Sequence, residues 1–477
     1  MFLKGFLTNS SGILTSRILG FFRDLLTAST LGAGIYSDIF FVAFKLPNLF
    51  RRVFGEGAFN QAFLPSFFKA IFKGAFALKI LAIFSGILIL LSLLVWLFSP
   101  YITKLLAFGF DSNTIALSAP LVAINFWYLL LVFIVTFFGA ILQYKKNFTA
   151  WAFSPALLNA CMIIALLLAQ GSPGYEATLI LSYGVLAGGA AQILLHFYPL
   201  KRLGFFKLLF VGFKELKQDS TKKAKARIHS INLSIKGFFK QFFPAMLGSS
   251  TAQIASFIDT LLASFLASGS ISYLYYANRI FQLPLSVFAI ATSVALFPLV
   301  ARFIKENKEK DALESLKKPF WLLVFLLSIC TLGGFLLKNE IIWLLFERGN
   351  FMRKDSLMCA SIFGAYLIGL LPFGLAKIFN LWLYSKGQQA LAAKISAFSL
   401  LSGTLLSIIL MQFLGAFGLA LAGSISGFIL LILTLHYFSW RHFFKLLWNL
   451  KLLIFLCLIL ALESCVILAF RAYIFAL

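Results

Sequence analysis

The sequence has little charge for its length, and most of that charge is positive. Of its 477 residues 61% are hydrophobic and only 12% are charged, whereas a soluble protein carries about 25% charged residues. There are 41 lysines and arginines but only 16 acidic residues. Long apolar stretches recur from end to end, so most side chains must face lipid rather than water. This composition excludes a soluble fold and predicts an all-α polytopic membrane protein.

The residues that build catalytic and metal sites are also scarce. The five cysteines lie within or next to apolar segments and form no CxxC pair, and the four histidines show no metal-ligand spacing. No nucleophile with its base and no pair of catalytic carboxylates is evident on a water-facing loop. The sequence therefore predicts no disulfide framework, no metal, no cofactor and no catalytic residue, which favours a transporter over an enzyme.

Thirteen apolar runs are long enough to span a bilayer. They fall at 8–32, 35–66, 80–107, 120–143, 149–170, 177–198, 238–267, 272–300, 319–337, 357–384, 388–412, 415–437 and 449–472. The stretch 199–240 separates six runs from seven, which predicts two helical lobes around a central cavity. The predicted organisation is a six-helix lobe at 1–198, a basic cytoplasmic linker at 199–237, a second six-helix lobe at 238–437 and an additional helix at 438–477.

The positive charge fits one orientation of these runs. With the N-terminus in the cytoplasm, the inside connections hold 26 lysines and arginines and the outside connections hold 6. Positive residues concentrate on the cytoplasmic side of membrane proteins. The net charge of +25 is therefore assigned to cytoplasmic loops rather than to a nucleic-acid partner, and the C-terminus is predicted to lie outside.

Ionisable residues inside spanning helices are costly and are functional candidates by default. Most of the runs hold almost none, but the first two hold eight, namely Arg17, Arg23, Asp24, Asp38, Lys45, Arg51, Arg52 and Glu56. In the second run Asp38, Lys45 and Arg52 are seven residues apart, which places them on one face of a helix that Pro47 breaks or bends. Such a face predicts a bundle interior or a watery cavity.

One further arginine, Arg279, lies in the eighth run. Because a guanidinium presents a planar fork of donors and stays charged at any depth, several arginines from different helices predict an anionic substrate such as a diphosphate. Two other interpretations stay open. The charges can pair and hold helices together, with Asp24 bound to Arg17 or Arg23, and Arg51 or Arg52 can extend to a membrane edge.

Asp259 stands alone within the seventh run, near Gln253. Two roles remain equally open for it: a hydrogen-bonded packing residue, or a possible cation or proton site.

Several ordered motifs resemble those of the MurJ (MviN) lipid II flippase family, over about residues 5 to 440. The most specific are SRILGFFRD at 16–24, DIFFVAFKLPNLFRR at 38–52, GEGAF at 55–59 and QAF at 61–63. Weaker matches are SPALLN at 154–159, YANR at 276–279, LPL at 283–285 and FERG at 346–349.

This resemblance implies a two-lobed flippase of the MATE-like exporter superfamily in the bacterial inner membrane. It would move lipid II, the undecaprenyl-diphosphate-linked peptidoglycan precursor, from the cytoplasmic to the periplasmic leaflet by alternating access. The expected partners are lipid II and membrane lipids, and the chain is expected to act as a monomer. The resemblance assigns substrate binding to Arg17, Arg23, Arg51, Arg52 and Arg279, with Asp24, Asp38 and Glu56 in the same charged set.

Two departures from the family pattern stand out. Well-known members have fourteen helices, the last two of which shape a groove for the lipid tail, whereas thirteen runs are counted here. A sodium site in some members also uses Asn and Asp side chains of helix 11, and the run 388–412 has neither. The alternative functions are export of another polyprenyl-linked glycan or of drugs and, from a different class, enzymatic modification of a membrane glycan.

Overall fold

The structure, a computed structural model, describes the backbone of residues 2–53, 57–217 and 222–475. It describes their side chains outside 2–10, 52–53, 247–253, 255 and 473–475. All regular elements in these ranges are helices, which confirms the predicted fold class. The chain divides into two compact units, Met1–Phe265 and Leu266–Leu477.

The first unit contains eleven helices among the residues described. They are α1 (Phe2–Leu31), α2 (Ile35–Val53), α3 (Phe59–Lys69), α4 (Lys73–Leu97), α5 (Ser99–Leu106), α6 (Ser112–Phe126), α7 (Tyr128–Tyr144), α8 (Thr149–Leu168), α9 (Gly174–Arg202), α10 (Phe205–Leu216) and α11 (Lys222–Ala263). Pro47 lies inside α2 and does not end it, so of the two expected effects, a break or a bend, the break is absent and Asp38 and Lys45 share one helix.

Phenylalanine fills the core of the first unit. Phe59 and Phe63 of α3 are fully buried, and Phe59 meets Phe133 of α7 edge-on with ring centroids 5.6 Å apart. Phe238 of α11, also fully buried, approaches Phe59 at 5.8 Å. Edge-to-face rings add to the gain from burying apolar area. These contacts hold α11 against the helices that precede it.

The second unit contains nine α-helices in its described residues. They are α12 (Ser270–Pro284), α13 (Ala291–Lys305), α14 (Glu309–Leu336), α15 (Lys338–Phe346), α16 (Arg353–Ile368), α17 (Leu370–Ser385), α18 (Gln389–Phe438), α19 (Trp440–Leu447) and α20 (Leu450–Phe475). A π-helical turn, Leu285–Ile290, joins α12 to α13.

Helix α18 is a hairpin of two arms. Its backbone turns at Gly415, with φ 56° and ψ −135°, a conformation that a side chain would strain. The arms return on each other, since Ser399 Oγ lies 2.9 Å from Ser426 Oγ. This turn separates the predicted runs 388–412 and 415–437.

Nine helical segments in the described ranges are long and apolar enough to cross a membrane. They include the arms of α18 as one segment and leave out α1, α2 and α11. Each of the thirteen predicted runs falls largely on helices in its described residues, but the count of thirteen membrane crossings stays a prediction.

The predicted linker is largely helical where it is described. Helix α10 occupies part of it, and α11 begins at Lys222 and continues without interruption into the seventh predicted run. The boundary between the two compact units follows Phe265. The division into two six-helix lobes, a linker and an additional helix stays a prediction.

Candidate functional site

The contact between α1 and α8 holds a buried ion pair. Arg23 and Asp24 are 8% and 2% exposed. The guanidinium donates to Asp24 Oδ1 from Nη2 at 2.6 Å and from Nε at 3.1 Å. Its Nη1 donates to Asn159 Oδ1 of α8 at 3.0 Å. The expected pairing of Asp24 with one of the two arginines of α1 is therefore confirmed, with Arg23 as the partner.

Small residues allow this arrangement. A Cβ on Gly12 would lie 2.5 Å from the carbonyl oxygen of Ala152, and one on Gly20 would lie 3.2 Å from Asn159 Nδ2. The Asn159 side-chain amide also donates to Ser16 O at 2.9 Å. Asn159 therefore both donates a hydrogen bond to α1 and accepts one from it. The close approach brings an uncharged acceptor to Arg23, which helps to offset the cost of removing the ion pair from water.

The second helix carries the predicted charged face. Asp38 lies in its first turn and is 4% exposed. Two turns later, half-buried Lys45 donates from Nζ to Ser256 Oγ of α11 at 2.9 Å. Asp259 lies three residues further along α11 from Ser256. The role of Asp259 as a possible cation site stays a prediction.

The end of this face is only partly described. Arg51 is half-buried and donates from Nε and Nη2 to Asn48 Oδ1, at 3.2 and 3.1 Å. That contact lies within one helical turn, and no ion pair joins Arg51 to an acidic residue in the described part of the chain. The Arg52 side chain and all of Glu56 lie outside the described residues.

The remaining two arginines differ in their surroundings. Arg17 of α1 is exposed in the first unit. Arg279 of α12 is half-buried in the second unit, with its guanidinium carbon 5.7 Å from the centre of the Tyr275 ring. An aromatic face beside a guanidinium is a favourable contact. That these arginines line one cavity stays a prediction.

Three polar residues of the structure were not singled out from the sequence. Asn159 ends the SPALLN motif at 154–159 but was given no role, and Ser256 gave no signal beyond being polar in an apolar helix, because the importance of both depends on partners far away in the chain. Lys377 of α17 did carry a signal, since it is an ionisable residue inside the run 357–384. Its side chain is exposed, and its carbonyl oxygen accepts a hydrogen bond from Ser293 at 3.3 Å.

Together these features define a class of protein. Apolar helices of spanning length make the chain a multi-pass membrane protein. Charged side chains are set into two of the helices of the first unit, and three of them, Arg23, Lys45 and Arg51, are held by specific polar partners. Groups of this kind in membrane helices mark substrate or ion pathways, and the class indicated is that of membrane transport proteins.

Comparison with known proteins gives the family. Residues 27–476 match the family described as lipid II flippase MurJ. A probable lipid II flippase MurJ of Helicobacter pylori strain J99 is 55% identical over 447 residues, which cover 94% of this chain and 97% of that protein. One from Buchnera aphidicola (subspecies Acyrthosiphon pisum) is 33% identical, covering 90% of this chain and 82% of the relative. The chain belongs to the lipid II flippase MurJ family.

Solved structures agree on the fold. A lipid II flippase MurJ in an inward closed conformation matches with a TM-score of 0.76 and 27% identity, covering 98% of this chain and 99% of that one. An inward-facing multidrug transporter of the MATE family matches with a TM-score of 0.68 at 13% identity, over 90% of this chain and 94% of the other. The second likeness concerns the fold alone.

Proposed function

We propose that this chain is a flippase that moves lipid II from the cytoplasmic to the periplasmic leaflet of the inner membrane by alternating access, and that it catalyses no chemical step. The relatives named above are described as lipid II flippases. The observation that carries the proposal is the set of cationic side chains on the apolar helices α1, α2 and α12. A diphosphate that leaves water needs such groups to replace its hydration shell.

The cations do not contribute equally to this proposal. Arg23 is bound to Asp24 and Asn159 inside the first unit. We therefore assign it to positioning α1 against α8. Exposed Arg17, half-buried Arg51 and half-buried Arg279 are the groups that we assign to the diphosphate, and Arg52 is included from the family resemblance. Asp38 and Glu56 are proposed to balance the positive charge.

Lys45 is relevant to whether transport by this chain uses bound sodium. Its ammonium group donates to Ser256, which lies about one helical turn from Asp259 on α11. We propose that this internal cation stabilises the Asp259 carboxylate without bound sodium. Net movement of charge with the substrate would then respond to membrane potential, which is worth about 2.3 kcal/mol per elementary charge per 100 mV.

The test compares arginine, lysine and alanine at the proposed diphosphate-binding positions. In cells depleted of their own flippase, Arg17→Ala and Arg279→Ala should abolish the appearance of lipid II at the outer leaflet, normalised to protein level. Arg17→Lys and Arg279→Lys should keep part of it, because lysine retains the charge and loses the bidentate fork. The matched control is Arg202→Ala, which removes an exposed arginine at the end of α9.

Two results would contradict the proposal. Normal activity per molecule in both alanine variants would remove the role of these arginines in binding an anion. Chemical alteration of a labelled precursor by the purified protein would instead indicate a glycan-modifying enzyme. Relocation of an unaltered drug or another polyprenyl-linked glycan, with lipid II left in place, would favour the other exporters of the superfamily.

A further inference from the structure

A crevice in the second unit is lined by none of the charged residues of α2. It has a volume of about 1130 Å³, and its walls come from α14, α19 and the start of α20, with Phe303 of α13. Apolar side chains, among them Leu322 and Leu452, share the lining with five charged ones. Nothing in the flippase proposal uses this crevice.

The two long helices of the crevice run in the same direction. The ring centroids of Phe325 on α14 and Phe455 on α20 are 5.6 Å apart. Eight residues later in both helices, a Cβ on Gly333 would lie 2.5 Å from Glu463 Oε1. Both helices therefore enter the membrane from the same side, and the crevice lies where they enter it. The charge tally predicts that this side is cytoplasmic.

The charged lining has a positive surplus. Three lysines, Lys317, Lys318 and Lys445, face two carboxylates, Asp311 and Glu314. Lys317 is paired with Glu314 at 2.6 Å. Lys318 and Lys445 are exposed, and neither forms an ion pair with another residue in the described part of the chain. The crevice as a whole thus offers one net positive charge.

Two tryptophans, Trp321 and Trp448, also line the crevice. Trp321 is 6% exposed and donates from Nε1 to the carbonyl oxygen of Leu446 at 3.1 Å, which fixes α19 against α14. Trp448 follows α19 and is 83% exposed. Tryptophan is enriched at the membrane–water interface, where its ring sits among lipid headgroups. The tryptophans and lysines that line the crevice are therefore expected at the depth of the lipid headgroups.

We propose that this crevice is a binding site for an anionic glycerophospholipid. The ammonium groups of Lys318 and Lys445 hold the phosphodiester, and the acyl chains lie along the apolar wall that includes Leu322 and Leu452. Basic pockets between helices on the cytoplasmic side suit anionic headgroups. The single negative charge of a phosphodiester matches the surplus of one positive charge, whereas a polyprenyl diphosphate carries more charge than the crevice can balance.

The test uses native mass spectrometry of the purified full chain with an equal mixture of phosphatidylglycerol and phosphatidylcholine of the same acyl chains. The wild-type protein should retain phosphatidylglycerol preferentially. The double variant Lys318→Gln/Lys445→Gln should lose about thirtyfold in that preference, since each lysine near an anionic headgroup contributes roughly a fivefold factor. Lys318→Arg/Lys445→Arg should keep it, because the charge is retained.

The matched control is Lys305→Gln/Lys310→Gln. It removes two exposed lysines from the loop between α13 and α14 and its flanks, neither of which lines the crevice. This control should keep the preference for phosphatidylglycerol. All variants are compared at equal melting temperature and elution volume, and the arginine variant reports on binding if the glutamine variant fails to fold.

Three outcomes would overturn the proposal. One is an unchanged lipid preference in the folded Lys318→Gln/Lys445→Gln protein, and another is an equal loss in the control. The third is displacement of phosphatidylglycerol by undecaprenyl diphosphate from the wild-type protein but not from the crevice variant, which would assign the site to the polyprenyl lipid. None of these results depends on whether the chain transports lipid II, since the readout is lipid retention.

Discussion

Two contacts, each between a pair of parallel helices, hold a carboxylate. The surroundings of the two carboxylates differ. At the contact of α1 with α8, Asp24 is bound to Arg23, and Asn159 supplies a further acceptor to that arginine. At the contact of α14 with α20, half-buried Glu463 lies against Gly333, and its Oε2 is buried without a hydrogen-bond partner in the described structure. The first carboxylate is compensated and the second is not.

The difference between the two carboxylates shows that a buried charged group is tolerated best where polar partners compensate it. A buried ion pair is weak evidence for stability as a whole, but removing one partner is costly because the other charge is left uncompensated. A buried polar group without a hydrogen-bond partner already carries a desolvation cost, so replacing it with an apolar group should stabilise the folded protein. Three sets of substitutions sharpen the comparison, in order of decreasing effect.

The largest effect is expected from removing Asp24. Asp24→Leu removes the carboxylate that is paired with the buried Arg23 guanidinium, and the free energy of unfolding should fall by about 3–5 kcal/mol. The double variant Arg23→Leu/Asp24→Leu should recover much of this loss, because no lone charge remains. Thermal unfolding in detergent measures both. A double variant less stable than Asp24→Leu would show that the arginine stabilises α1 without its acidic partner.

An intermediate effect is expected from adding a methyl group at each contact. In Gly12→Ala the new Cβ meets the backbone carbonyl of Ala152 at 2.5 Å, so the helices must move apart at a cost of about 1–3 kcal/mol. In Gly333→Ala the nearest atom, also at 2.5 Å, is the end of the flexible Glu463 side chain.

The free energy of unfolding should therefore fall much less in Gly333→Ala than in Gly12→Ala. Gly86→Ala is the control, because no atom lies within 4 Å of its Cβ position. Melting temperatures rank the three variants. Equal losses at Gly12 and Gly333 would mean that the α14–α20 contact is as rigid as the α1–α8 contact.

The smallest effect is expected at the second carboxylate. Glu463→Leu removes a polar oxygen that has no partner and should raise the free energy of unfolding by roughly 1 kcal/mol. The same change from acid to leucine thus has opposite signs at Asp24 and Glu463. A clear drop in melting temperature for Glu463→Leu would show that this carboxyl group has a partner in the folded protein.

The sequence alone determined the fold class, the position of the apolar helices and the charged character of the first two. These features are local, because each depends on composition and hydropathy over a few tens of residues, and a bilayer makes that signal strong. The motifs at 16–24, 38–52, 55–59 and 61–63 were together enough to indicate the family, since each is a continuous stretch of the sequence. Even the pairing of Asp24 was foreseen as one of two choices, because its partner is its neighbour.

Only the tertiary structure decided which charged groups are held by partners. Asn159 reaches Arg23 across 136 residues of sequence, and Ser256 reaches Lys45 across 211. It also showed that Pro47 leaves α2 unbroken and that α11 begins within the predicted linker. Hydropathy describes how one helix meets lipid, whereas these features depend on which faces of distant helices pack together, and a one-dimensional pattern does not specify that packing.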